Sequence, residues 1–365
     1  MRTLRVHRLG RVEYADGLGL MRLAAERVRA REPAETDWLF LLEHPPVLTL
    51  GRAADGAHIV ASAEWLRGRG FEVHETDRGG DVTYHGPGQL VAYPVVDLAD
   101  RPDVRRFVHD LEEAMIRACR DFGVVAGRHP EHRGAWVGPR KIGAVGVHLS
   151  RWVSTHGIAL NVAPDLSHFS TIVPCGIAEP GLGVTSLSAE LERSGEPPPA
   201  LADAEERFAA HLAELLGRRR EDRGFDLHTV SVVPTAADGR VLLLRRSEAR
   251  GGFWQPVTGR IEPGETPAEA ARRELLEETG IDAAVDPLGY RHGFGLEPGL
   301  GGRGDDLRTA EETAFRARVP AAGAVRLSEE HAEHAWLSLA EAESRLRYAG
   351  LKKAVRLATA GARTA

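Results

Sequence analysis

The chain has 365 residues, 42% apolar and 27% charged, with 47 basic against 53 acidic side chains and a net charge of −6. That length suits two domains that each bury a core, and the composition excludes a disordered or fibrous chain. No apolar run approaches the roughly 20 residues of a membrane span, no basic excess points to nucleic acid, and two cysteines, Cys119 and Cys175, cannot build a disulfide framework.

The opening MRTLRVHRLGRVEY alternates apolar and charged residues without an apolar h-region, so it predicts a strand rather than a signal peptide, and a cytoplasmic location. Trp38 to Leu42 and Val91 to Val96 read as buried strands, and Val104 to Phe122 as an amphipathic helix with Cys119 among its apolar positions. A Pro-rich turn over 194–200 leads into a helix from Ala202 to Leu216. GRRREDRGF, residues 217–225, lacks apolar periodicity and is expected to link a first domain (1–216) to a second (226–358). The second opens with strands from Leu227 to Val233 and from Val241 to Leu244.

Only three of the basic residues are lysines: Lys141, Lys352 and Lys353. Lys352 and Lys353 lie in an amphipathic tail and read as a solvated helix face. Lys141, in GPRKIGAVGVHL, suits a role in which a proton leaves, which a guanidinium cannot fill. Cys175 stands on a Pro–Cys–Gly turn in STIVPCGI and is either an inert turn cysteine or a nucleophile. An ammonium nearby would lower its pKa from about 8.5 into the physiological range, and a Cys–Lys pair fits acyl transfer through a thioester. RGGDVTYHGPGQ (78–89) and THGIALNV (155–162) read as ligand-holding segments whose glycines let backbone approach a substrate. Their His85 and His156 are either ligand-facing or structural.

EHPPVLTLGR, RGGDVTYHGPGQ, GPRKIGAVG, THGIALNV and PCGI together resemble the lipoate-biosynthesis octanoyltransferases over residues 1–216. The resemblance implies an α/β (α+β) fold of the biotin and lipoate protein ligase type. It implies octanoyl transfer from acyl carrier protein to a lysine of lipoyl domains, in 2-oxoacid dehydrogenase E2 subunits and the glycine-cleavage H protein, with no cofactor. Cys175 would be the acyl-thioester nucleophile and Lys141 the residue that lowers its pKa. Arg78, Gly79, Gly80, Asp81, Val82, Thr83, Tyr84, His85, Ala144, Val145, Gly146, Gly157, Ile158 and Ala159 would line the acyl site. A ligase of the same fold would activate a free acid with ATP and would not need Cys175. Acyl carrier proteins are acidic, as is the first domain, so Arg140 and Arg151 are candidate docking cations.

In GRIEPGETPAEAARRELLEETGI (259–281), Thr266, Pro267 and Glu269 predict a capped helix start, and Gly280 its stop. Glu274, Glu277 and Glu278 fall at i, i+3 and i+4 on one face, with Ala270, Ala271 and Leu275 as a packing side. Such a row is either a solvated acidic face or a site for a hard divalent cation. The spacing of Gly259, Glu265 and Arg273 to Ile281 resembles the Nudix box over about residues 226–345. The resemblance implies an α/β/α sandwich hydrolysing a nucleoside diphosphate linked to a further group, with Mg²⁺ or Mn²⁺ on Glu274, Glu277 and Glu278 and Glu265 nearby. Glu311 or Glu312 would add a downstream carboxylate, and Trp254 is either a base-stacking or a core aromatic. The flanking segments resemble members that hydrolyse nucleoside or pterin triphosphates. The alternative is a non-hydrolytic nucleotide sensor that regulates the transferase.

Overall fold

The computed structural model describes every residue except 174–178, 180, 297–306 and 361–365. Two compact units divide at Gly224, with Ala15–Leu20 grouping with the second. In chain order the first segment runs β1 (Thr3–Arg11), α1 (Tyr14–Ala30), β2 (Thr36–Glu43), β3 (Val47–Leu50), α2 (Ala63–Gly68), β4 (Glu72–Glu75), β5 (Val82–His85) and β6 (Gln89–Val95). It continues through α3 (Val104–Asp121), β7 (Ala135–Val137), β8 (Arg140–Ser150), β9 (Val153–Asn161), β10 (Gly183–Val184), α4 (Leu187–Arg193), α5 (Leu201–Leu216) and β11 (Arg219–Arg223).

Among the described residues, the main sheet of the first unit has the order β10-β8-β9-β6-β2-β1-β11, with β7 beside β8, and a small sheet has the order β4-β3-β5. The central strands β2 and β6 are apolar and covered on both faces. Asp103 caps α3 by accepting from Arg106 N at 2.9 Å. The helix buries Phe107, Leu111, Ala114, Met115, Ala118 and Cys119 at helical spacing, against Phe208 and Leu212 of α5. Cys119 is therefore a core residue, its thiol pushed up to about 12 by burial.

Residues 217–225, expected to be a linker, instead contain β11, which pairs in parallel with β1 at Thr3↔Arg219 through His7↔Arg223. An edge strand can be charged throughout. Here Asp222 accepts from Arg8 at 2.7 Å and from Arg220 at 2.8 Å, and Arg220 also reaches Glu206 at 2.7 Å. The charges that hid the strand thus hold it.

The second unit follows as β12 (Leu227–Ala236), β13 (Val241–Arg246), β14 (Trp254–Gln255), β15 (Val257–Arg260), α6 (Pro267–Thr279), β16 (Val285–Leu296), β17 (Arg308–Val319), β18 (His331–Leu337), α7 (Leu339–Arg345) and α8 (Ala349–Ala360). Its mixed sheet has the order β14-β13-β12-β17-β16, with β15 on β12 and β18 on β13. Alternate residues feed two cores: Val230, Val232, Leu242 and Leu244 pack on Ala270, Ala271 and Leu275 of α6, whereas Val233, Val241 and Leu243 pack on Leu351, Ala354 and Val355 of α8. This is the expected α/β/α sandwich. Lys352 and Lys353 are half-buried rather than fully solvated.

The capping box of α6 forms as expected: Glu269 N donates to Thr266 Oγ1 at 3.3 Å, and Thr266 N donates to Glu269 Oε2 at 2.8 Å. Gly280 takes the left-handed stop, φ 71°. Replacing Thr266 by Ala removes the bonds of its hydroxyl, from Glu269 N and to Glu269 Oε2, while leaving the Thr266 N bond, and is expected to lower the stability of the second unit by about 1 kcal/mol, read as a lower urea midpoint.

Candidate functional sites

The first unit encloses a cavity of about 380 Å³ along β8, from Lys141 to Val147, a run of roughly 20 Å at strand rise. Its position follows from small residues. Gly79 N donates to Val147 O at 3.0 Å, which lays the 78–81 loop across β8. A Cβ on Gly146 would stand 2.9 Å from Gly79 O, and one on Gly157 would collide with Ala92 O. Gly80, at φ 89°, makes the turn that follows.

Of the sequence-predicted acyl-site residues, Arg78, Gly79, Gly80, Asp81, Thr83, His85, Ala144, Val145, Gly146, Gly157, Ile158 and Ala159 line this cavity together with Lys141. Val82 and Tyr84 do not. They are the alternate residues of β5, and the pleat turns them into a separate core with Phe71 and Phe169, where Tyr84 Oη bonds His168 Nδ1 at 2.8 Å. Cys175 lies outside the described residues.

The cations and imidazoles of the cavity are mostly occupied. Arg78 donates to Thr49 O at 2.6 Å, Thr49 Oγ1 at 2.8 Å and Gly79 O at 3.0 Å, so it acts as a strut for the loop. Asp81 accepts from His58 Nδ1 at 2.6 Å and from Val82 N at 2.7 Å. His85 Nδ1 donates to Gln89 Oε1 at 2.7 Å, and burial beside His44 and Arg78 pushes its pKa down to about 3. His44 does not line the cavity but packs against Tyr14, His85 and Tyr93, which do; burial takes it down to about 4, its Nδ1 donates to Val12 O, and Tyr93 Oη donates to its Nε2, each at 2.7 Å. Tyr14 and Tyr93 complete this neutral aromatic wall, a low-dielectric surface suited to a hydrocarbon. His156 also lines the cavity, in the left-handed region at φ 59°, its Nε2 donating to Asp77 Oδ1 at 2.8 Å. Sequence reasoning assigned no role to Tyr14, His44 or Tyr93; EHPP marked His44 only as part of a motif.

Lys141 is buried, its Nζ 5.6 Å from the Trp136 ring centroid, within cation–π range. Close by, ligand atoms of Glu131, His132 and Glu179 lie within 4.8 Å of one another, a group able to hold a cation. Of the two candidate docking arginines, Arg140 is committed to Glu190 by two bonds of 3.0 Å, whereas Arg151 is exposed at the β8–β9 turn.

The second unit holds a cavity of about 790 Å³ lined by Glu274, Glu277 and Glu278 of α6. Gly259 explains its own place in the motif, because a Cβ there would collide with the Glu274 carboxyl group. Glu278 is buried, and its pKa is pushed up to about 8 by burial and then by Glu274. Carboxylates crowded this way form an all-oxygen donor set that fits a hard divalent ion. Glu265 does not line the cavity. It accepts from Arg273 Nε at 2.7 Å and from a second Arg273 nitrogen at 2.9 Å, and Arg273 also reaches Glu274 at 2.8 Å.

Alternation along β17 separates the two downstream carboxylates. Glu312 is buried in the cavity, 3.3 Å from His292 Nε2, while Glu311 faces away toward His228 and Arg291. Trp254 lies against the α7–α8 core with the Arg345 guanidinium 4.7 Å over its ring, and its neighbour Phe253 is among the aromatic residues that line the cavity instead. Phe253, Tyr348 and Arg246 of this cavity were not singled out from sequence.

Residues 13–213 match the lipoyl protein ligase A/B catalytic domain and residues 227–357 the NUDIX domain. The chain is 48% identical to an octanoyltransferase of Myxococcus xanthus over 99% of its own length and 100% of that protein's. It is 48% identical to an octanoyltransferase of Solibacter usitatus over 59% of this chain and 94% of that one. Among solved structures, lipoate-protein ligase A bound with ATP is 17% identical at a TM-score of 0.49, covering 62% of this chain and 90% of that one.

Gly146→Val is expected to lift the 78–81 loop from β8 at a cost of about 1–3 kcal/mol, and hydrogen exchange at the Gly79 amide should quicken.

Proposed function

The chain belongs to the octanoyltransferase family and carries a NUDIX domain behind its catalytic domain, and on that footing we propose a thioester route for the first unit. An octanoyl group passes from acyl carrier protein to Cys175 and then to a lysine of a lipoyl domain. The observation that carries this reading is the single cavity that gathers Lys141 with twelve of the fourteen acyl-site residues. Chain length supports the partnership of Cys175 with Lys141. Glu179, four residues after the cysteine, bonds the cavity residue His132 at 3.0 Å, and four residues span at most about 14 Å.

The Lys141 ammonium holds Cys175 as thiolate. The thiolate attacks the donor carbonyl, a new C–S bond forms, and the carrier sulfur leaves and takes up a proton. The acceptor amine then attacks the enzyme thioester. A C–N bond forms, the C–S bond to Cys175 breaks, and Lys141 handles the amine proton. Exchange between thioesters is nearly isoenergetic and amide formation runs downhill, so the reaction needs no ATP. The chemistry suits the cytoplasm, where a free thiol stays reduced.

In the second unit, Glu274, Glu277 and Glu278 would hold Mg²⁺ or Mn²⁺, with Glu265 orienting Arg273 beside them. A bound divalent ion would neutralise phosphoryl oxygens during hydrolysis. Phe253 and Tyr348 offer aromatic faces to a base, and Arg246 a cation to a phosphate. The substrate class is a nucleoside diphosphate carrying a further group.

Intact mass after mixing with octanoyl carrier protein should show one added octanoyl group, absent in Cys175→Ser. Lys141→Arg should slow transfer about a hundredfold, and an unimpaired variant would refute the proton-handling role.

Glu278→Gln should abolish Mg²⁺-dependent phosphate release from a panel of nucleotides. Nucleotide binding without release in the unmodified chain would mark the domain as a sensor.

A further inference from the structure

The loop that precedes β18 is laid across the end of α6 by its backbone. Arg326 N donates to Thr279 O at 3.0 Å and Ser328 N to Glu278 O at 3.3 Å, so the chain passes over the last glutamate of the helix. His331 then opens β18 opposite Arg246 of β13, its own N–H donating to Ser328 O at 3.2 Å. These bonds turn the imidazole inward: the side chain is 0% exposed, and Nε2 faces Glu278 Oε1 at 3.8 Å. That separation is longer than a hydrogen bond, and Nε2 has no hydrogen-bond partner among the described residues.

The other ring nitrogen decides where the proton points. Nδ1 lies 3.3 Å from Ser328 Oγ, whose hydroxyl donates to it when Nε2 carries the proton. The reverse tautomer would aim a bare lone pair at a carboxylate inside the protein, so the Nε2–H form is favoured. Two N–H groups then face Glu278, one for each oxygen: His331 Nε2 at Oε1, and Thr258 N, which donates to Oε2 at 3.3 Å. Thr258 belongs to β15 and His331 to β18, so the carboxylate is bracketed from two different strands. An orphaned buried donor costs stability, and costs of this kind collect at functional sites.

We infer that His331 is a positioning residue for the divalent-cation site: its Nε2–H, together with the Thr258 amide, fixes the orientation in which α6 presents the Glu278 carboxylate to the cavity. The inference rests on the reading of Glu274, Glu277 and Glu278 as cation ligands. His331 does not line the cavity, so it acts through Glu278 rather than on a substrate. Neutral N–H groups orient a carboxylate without neutralising it, which leaves its charge for a cation. Arg273 does the opposite at Glu274, where it donates at 2.8 Å and competes for that charge.

The test uses the full chain, stripped of metal, with Mn²⁺ as the probe. Mn²⁺ affinity is read from the electron paramagnetic resonance signal of the free ion, and stability from the urea midpoint without metal. His331→Leu should weaken Mn²⁺ binding about ten- to a hundredfold. Its metal-free midpoint should stay level or rise, because an apolar side chain replaces an orphaned polar one. His331→Gln, whose amide N–H reaches the place of Nε2, should recover most of the affinity. His331→Asn, whose shorter amide does not, gives the same contrast without an apolar replacement should His331→Leu fail to fold. Binding unchanged in His331→Leu, or a loss that His331→Gln does not recover, overturns the inference and leaves the cation site standing. Mn²⁺ binding that is equal in the unmodified chain and in Glu278→Gln, or absent from both, overturns the cation reading and the inference with it.

Discussion

Close approach of backbone to backbone at glycine is the constraint on which the first site depends. The 78–81 loop lies on β8 because residues 79 and 146 lack a Cβ. That contact brings Arg78 against Thr49, aims Thr83 and His85 inward, and leaves a cavity of about 380 Å³ between the loop and β9. Gly143 plays the same part on the other face of the strand, where a Cβ would stand 2.6 Å from Met115 Sδ of α3. The sheet can be gripped from both sides only where its side chains are absent.

The two cavities solve opposite electrostatic problems. The first is walled partly by groups held neutral: His85 is buried and donates to Gln89, His44 packs against it, and Tyr14 and Tyr93 stay protonated. Its charged lining groups include Lys141 and, in the loop, Arg78 and Asp81, the latter two held in hydrogen bonds. The second crowds carboxylates on one helix face, where Arg273 relieves part of their repulsion by donating to Glu274 and Glu277. A neutral wall suits a hydrocarbon, and an acidic one a metal-bridged phosphate.

Several assignments turned on which of two adjacent residues faces inward. Val82 and Tyr84 share a motif with Thr83 and His85 but point into another core. Trp254 gives way to Phe253, and Glu311 to Glu312, for the same reason. Strand parity is weakly marked when both faces of a sheet are buried, because apolar and polar residues then occur on each. The strand at Arg219–Arg223 was hidden differently: an exposed edge needs no apolar period, and its ion pairs with Arg8 and Glu206 come from residues some 200 and 14 positions away.

The sequence alone determined the two-domain plan, the helix of three glutamates with its caps, the core role of Cys119, and the families to which both halves are similar. These are set by local rules: period, capping chemistry and fixed spacing within one element. Only the tertiary structure decided which motif residues share a cavity, that Arg78 braces a loop, and that His331 faces Glu278. Those pairings join strands and turns far apart in the chain, where position is dictated by packing and by which backbones can touch.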